Sequence, residues 1–176
     1  MNFYKTQFKE VFLIIPDVKE DERGYFYRSF AIEEFKRNGA DISIVHINRG
    51  YNNKKGTIRG FHYQVAPKAE DKVVQALKGS FYDIVVDLRP GSSTYKKWQG
   101  FEISADKKNM ILVPKGFAHG MQMLEDDCEV QYFMSEFYSP EHARGLRWND
   151  PAFGFIWPLG EPTVISEKDA GWPDFS

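Results

Sequence analysis

The chain predicts an all-β protein of antiparallel strands, folded as a sandwich or barrel with a looping C-terminal third. Two observations carry that expectation. Aromatic residues make up 16% of the 176 residues and fall in short runs with β-branched neighbours. Turn-forming clusters separate these runs at short intervals, which is the rhythm of antiparallel sheets.

In chain order the strand-like runs read VFLII, GYFYRSF, ISIVHIN, KVVQALKGSFYDIVVDL, WQGFEIS, MILVP and CEVQYFMSEFY. Between them stand NNKKG, LKGS, RPGSS, SADKKN, PKG and LEDD, rich in residues that turn a chain. One segment, AIEEFKRNG, has helical composition and stops at Gly39. SPEHARG and SEKDAG each predict a turn or two of helix with a serine N-cap. From about Ser139 the alternation lapses into Pro, Gly, Asp and Trp, so this part should wrap the sheets as loops.

With 42% hydrophobic residues the chain can build one core but is short for two, so a single domain over residues 1–176 is expected. The lone cysteine, Cys128, rules out an internal disulfide framework and fits core packing in a reducing compartment. Near the N-terminus the apolar run Val11 to Ile15 is too short for a signal sequence or a membrane span, which predicts a cytoplasmic protein without a membrane partner. A formal charge of −2 with interspersed signs gives no field for gripping nucleic acid. Lys54 and Lys55 read as a solvated turn.

Period-2 geometry assigns faces within the strands. Val130, Tyr132, Met134, Glu136 and Tyr138 share one face of an unbulged strand, so two phenols look the same way. In GTIRGFHYQ, His62 faces away from Phe61 and Tyr63. Arg59 falls on the wrong face to join His62 unless the strand bends near Gly60.

Several chemistries are disfavoured. A cupin-like metal site wants about three or four ligands, commonly including a His-x-His pair. His46, His62, His119 and His142 contain no such pair, so no metal is expected. There is no G-x-S-x-G elbow, no phosphate loop and no dinucleotide fingerprint. Acid–base chemistry by histidine, tyrosine, lysine and a carboxylate is what remains.

DERGYFYRSF, GTIRGFHYQ, KVVQALKGSFYDIVVDLRPGSSTYKKWQGFEIS, VPKGFAHGMQ, YSPEHARGLRWNDPAFGFIWP and ISEKD resemble, in order and spacing, the dTDP-4-dehydrorhamnose 3,5-epimerase family over about residues 10 to 170. The resemblance implies a cupin-type jelly-roll barrel, a homodimer, and an isomerase that works without metal or organic cofactor. Its substrate would be a nucleoside-diphosphate 4-keto-6-deoxy sugar, epimerised beside the ketone in rhamnose-type polysaccharide biosynthesis. Carried over by position, it makes His62 the base, Asp169 its carboxylate partner, Tyr132 the opposing proton donor and Lys72 a stabiliser of the enolate. It also assigns Arg23 and Arg59 to the diphosphate, Phe26 to the nucleobase, and Asn48, His119, Tyr138 and Lys168 to the pocket wall.

Elementary chemistry agrees with that division. A hydrogen beside a ketone leaves only if the charge moving onto the oxygen is stabilised. Imidazole, with an ordinary pKa near 6.5, is mostly free to accept it at pH 7, and a phenol near 10 is protonated and able to donate. Inversion needs both, because one base tends to return the proton to the face it came from.

The sequence departs from the family pattern at Arg28, His46, Gly50, Gln75 and Ala143, where glutamate, glutamine, serine, arginine and glutamate are common. Arg28 and His46 fall at positions the family uses near the nucleobase and ribose, so GDP, CDP and UDP stay open beside dTDP. Two other readings also stay open: a 3,4-ketoisomerase on the same scaffold, and a non-catalytic sugar-nucleotide-binding module.

Overall fold

The computed structural model describes residues 1–176. Thirteen strands and two short helices follow in the order β1 (Asn2–Lys5), β2 (Phe12–Ile15), β3 (Lys19–Asp21), β4 (Gly24–Phe26), α1 (Ile32–Arg37), β5 (His46–Asn52), β6 (Ile58–Gln64), β7 (Lys72–Lys78), β8 (Ser80–Asp87), β9 (Trp98–Ser104), β10 (Met110–Val113), β11 (Phe117–Met123), β12 (Cys128–Met134), β13 (Ala143–Gly145) and α2 (Glu167–Ala170). Six strands form one sheet in the order β1-β2-β10-β7-β12-β5, and five form another in the order β13-β6-β11-β8-β9. All the strand pairings within both sheets are antiparallel. This is the cupin-type jelly roll.

Apolar side chains from the inner faces meet in one cluster: Val74, Ile111 and Val130 from the first sheet, Phe81, Val85, Phe101 and Met121 from the second. Each fully buried side chain of this size contributes about 1.5–3 kcal/mol. The outer faces are covered as well. Phe35 of α1, with Ala40 and Ile42, packs on Val73, Met110, Leu112 and Phe133. On the other side the C-terminal segment lays Leu146 and Trp157 over Ile58, Phe61, Ile84 and Ala118.

Local chemistry explains the helices. In α1, Glu33 and Glu34 stand in the first turn and Lys36 and Arg37 in the last, matching the helix dipole, and Gly39 just beyond it adopts φ +85°. In α2, Ser166 caps the N-terminus by accepting the Asp169 N–H at 3.1 Å.

SPEHARG differs from expectation. A single turn at Ser139–Ala143 gives way to β13, which pairs with β6, because the open edge of β6 offers backbone partners that a one-turn helix lacks. GYFYRSF contributes only Gly24–Phe26, and ISIVHIN becomes strand only from His46. β11 escapes sequence reading because all seven of its residues are buried, which erases alternation. No helix is long and apolar enough to cross a membrane.

Candidate active site

A cavity of about 410 Å³ opens between the two sheets. His62 and Arg59 on β6 and His119 and Met121 on β11 line it from the five-stranded sheet; Lys72 on β7, Tyr132 on β12 and Asn48 and Gly50 on β5 line it from the other. The imidazole and the phenol therefore come from opposite walls.

The bend required near Gly60 is present. Opposite β11 the register slips between His119 and Gly120, leaving Phe61 as the extra residue, and Gly60 adopts φ +105°. A Cβ there would stand 2.7 Å from the His119 carbonyl oxygen, so glycine is required by space as well as by φ. Phe61 turns into the outer apolar cluster, while Arg59 and His62 both line the cavity.

His62 Nε2 lies 2.7 Å from Asp169 Oδ1, which leaves Nδ1 as the uncommitted nitrogen. Asp169 is buried and further held by the Gly60 N–H at 3.1 Å. Burial pushes its carboxyl up, but the bonds from His62, Gly60 and Ser166 outweigh this and hold it below the usual carboxylate range. The side chain of His62 remains 43% exposed, facing the space a substrate would fill.

Tyr132 keeps partial access to the cavity, and its hydroxyl has one partner, Met121 Sδ, at 3.6 Å. Burial pushes the phenol up to about 12; the Arg59 cation works against that shift and Asp83 reinforces it. A Cβ on Gly50 would sit 3.7 Å from this hydroxyl, so glycine leaves open the space where the family commonly has serine.

A second imidazole–carboxylate pair lies beside the first. His119 Nδ1 is 3.1 Å from Asp83 Oδ2, and both residues are buried. Burial drives His119 below the ordinary imidazole range despite the carboxylate. Asp83 Oδ1 has no partner.

Charge in the cavity is one-sided. Arg49, Arg59, Lys72, Arg144 and Lys168 line it, against the single lining carboxylate of Glu70. Arg59 is held by Asn52 Oδ1 and by the Tyr51 carbonyl. Such a surface suits a ligand carrying several negative charges. No three side chains among His, Cys, Asp and Glu gather as a metal ion would need.

Of the residues expected here, His62, Lys72, Tyr132, His46, Asn48, Arg59, His119, Tyr138 and Lys168 line the cavity, and Asp169 backs His62. Gly50 and Ala143 line it too. Arg23, Phe26 and Arg28 do not line the cavity of their own chain. They sit on and after the β3–β4 hairpin, where Arg23 pairs with Asp21 at 2.6 Å, Arg28 lies 3.8 Å from Glu34, and Phe26 is 71% exposed. Gln75 is also absent from the cavity: on β7 it takes the face opposite Lys72 and Val74.

Sequence reading missed Asp83, Glu70, Gln64, Arg144 and Trp172. A carboxylate inside the apolar run of β8 is a usable sign of a buried pair, and Glu70 stands two residues from Lys72, hence on its face. Trp172 carries no local sign. It reaches the cavity by stacking on Gly145, where any Cβ would collide with its ring.

A jelly roll that sets an imidazole–carboxylate pair against a phenol in a cation-lined cavity places the chain among the cupin-type proteins. Residues 5–176 match the family model described as dTDP-4-dehydrorhamnose 3,5-epimerase. The dTDP-4-dehydrorhamnose 3,5-epimerase of Sinorhizobium fredii is 42% identical over 98% of this chain and 89% of that protein. A Bacillus anthracis enzyme of the same name, solved with TDP and PPi bound, superposes with a TM-score of 0.95 at 39% identity, covering 99% of both chains. A Legionella pneumophila dTDP-6-deoxy-D-glucose-3,5-epimerase in complex with dTDP-4-keto-L-rhamnose gives 0.90 at 36% identity, over 96% of this chain and 89% of that one. The chain belongs to the dTDP-4-dehydrorhamnose 3,5-epimerase family.

Proposed function

We propose that the protein is a cytoplasmic isomerase that inverts C3 and C5 of a dTDP-4-keto-6-deoxyhexose in rhamnose-type deoxysugar biosynthesis. One observation carries this reading: His62 and Tyr132 line one cavity from opposing sheets. His62 Nδ1 accepts the proton beside the ketone. The C–H electrons form the enolate C=C bond, and the negative charge moves onto O4. Lys72 donates to that oxygen. Tyr132 then gives its proton to the same carbon from the other face; the resulting phenolate regains a proton from solvent, and the His62 imidazolium releases to solvent the proton it took. Asp169 holds the His62 ring and favours the imidazolium as it forms. Arg59 and Lys168 meet the diphosphate.

The test is to incubate the protein with dTDP-4-keto-6-deoxyglucose in D₂O and follow the sugar protons by NMR. Deuterium entering C3 and C5 with changed ring couplings is the expected result. A migrated ketone would replace this reading with ketoisomerisation, and the absence of any exchange would replace it with a binding module.

We also propose a homodimer in which the β3–β4 hairpin of one copy brings Arg23 and Phe26 to the cavity of the other. The support is positional. These residues lie outside their own cavity, Tyr25 and Phe26 are exposed, and the edge strand β5 presents Ile47 and Tyr51 to solvent beside the cavity mouth. Mixing inactive His62→Ala with impaired Arg23→Ala should restore activity, because a mixed dimer contains one intact site. No recovery on mixing, with the subunits shown to exchange, places the hairpin elsewhere.

A further inference from the structure

β7 opens on a buried ion pair whose carboxylate the chemistry above leaves without a part. Lys72 Nζ lies 3.0 Å from Glu70 Oε1, with side chains 8% and 7% exposed. The same ammonium donates to the His62 carbonyl oxygen at 3.2 Å. Glu70 is itself fixed: its Oε2 accepts from Gln64 Nε2 at 3.0 Å, and Gln64 Oε1 accepts the Ser139 N–H at 2.6 Å.

An ammonium carries three N–H groups in tetrahedral array. With two committed, the direction of the third is set. We propose that Glu70 is a positioning residue that fixes the rotation of the Lys72 ammonium, so that its one uncommitted N–H points at the ketone oxygen of the bound sugar.

This deepens the epimerase reading and rests on Lys72 being the enolate donor. A lysine head group otherwise rotates freely, and a donor that must be aimed during the reaction stabilises the developing charge less than one aimed beforehand. Glu70 also offsets the Lys72 charge within the cavity. What Lys72 contributes is then a directed N–H, while Arg59 and Lys168 supply the net positive field for the diphosphate.

The experiment measures kcat, KM and deuterium exchange on dTDP-4-keto-6-deoxyglucose for Glu70→Met, Glu70→Gln, Lys72→Met and the double variant Glu70→Met/Lys72→Met. Glu70→Met, similar in volume but without an acceptor, should lower kcat about 10- to 100-fold with KM within about threefold. Glu70→Gln keeps an acceptor oxygen and should stay within about threefold of the parent kcat. Lys72→Met should lose about 10²–10³. In the double variant the buried pair becomes two apolar chains, a replacement cores tolerate, and its kcat should equal that of Lys72→Met alone.

A double variant slower than Lys72→Met by the full Glu70→Met factor overturns the proposal, since Glu70 then acts independently of Lys72. So does a Gln variant as slow as the Met variant, or a Met variant with the parent kcat. Should Glu70→Met strand Lys72 and fail to fold, a Glu70→Gln kcat more than about tenfold below the parent, or a double variant more than about tenfold slower than Lys72→Met, overturns the proposal. A parent protein that exchanges no sugar proton removes the epimerase reading itself, whereas normal exchange with an unaffected Glu70→Met removes only the role of Glu70.

Discussion

Two imidazole–carboxylate pairs lie side by side on the five-stranded sheet, His62 and His119 being cross-strand partners, and they differ chiefly in burial. His62–Asp169 opens onto the cavity, with 43% of the imidazole side chain exposed; His119–Asp83 is sealed, with 5%. The open pair has a free nitrogen within reach of a substrate and a strongly held carboxylate behind it, so the ring can gain charge when it takes a proton. The sealed pair cannot afford that charge: burial keeps His119 neutral against the pull of Asp83. In the reaction proposed above, identical groups thus serve as a base in one place and a fixed neutral wall in the other. Desolvation decides which.

The largest blow to this contrast comes from the open pair. His62→Ala should abolish deuterium exchange at the sugar, a loss of about 10³–10⁴ in rate, read by NMR in D₂O. If His119→Ala did the same while His62→Ala did not, the two roles would have to be exchanged.

Tyr132→Phe tests the opposite wall and should be smaller in reach. Exchange should persist, while inversion, followed by ring couplings, falls about 10²–10³-fold. Because burial pushes the phenol up to about 12, the donor stays protonated through the working range, and inversion should show no basic limb from it below about pH 11.

Asp169→Asn removes the charge behind His62 while keeping the volume. It should lower exchange about 10²-fold with little change in substrate affinity, measured as a split between kcat and KM. An equal effect on KM would make Asp169 a binding group.

The smallest effect belongs to the sealed pair and appears in stability. His119 is held below the ordinary imidazole range in the folded protein, so on acidification the unfolded chain takes up this proton first. Stability should therefore fall as pH drops below about 6.5. Urea midpoints at pH 7.5 and 5.5 should differ less in His119→Asn than in the parent. A slope unchanged by that substitution would show that His119 takes up its proton over the same pH range folded and unfolded.

Much of the fold was legible because strand formation is local. Runs such as VVQAL and FYDIVVD carry enough apolar and β-branched residues to be strands in any sheet, and β7 and β8 fall where the sequence places them. β11 was illegible because burial on both faces leaves no period to read. Within the site, His46, Asn48, Arg59, His62, Lys72 and Tyr132 on strands β5, β6, β7 and β12 were legible; the β3–β4 hairpin lies outside the cavity of its own chain, and only packing decides which cavity a hairpin can reach.

By itself the sequence determined most of the strands, the family, and the chemical groups available: an imidazole, a phenol, an ammonium and a carboxylate on strands and a capped turn. Tertiary structure decided which of them meet. A slipped register at Gly60 put Arg59 beside His62, burial divided two like histidines into unlike states, and Glu70 was brought against Lys72 in a dry wall. Alternation along a strand fixes a side chain's face, but its neighbours come from other strands and its charge state from the water that packing excludes.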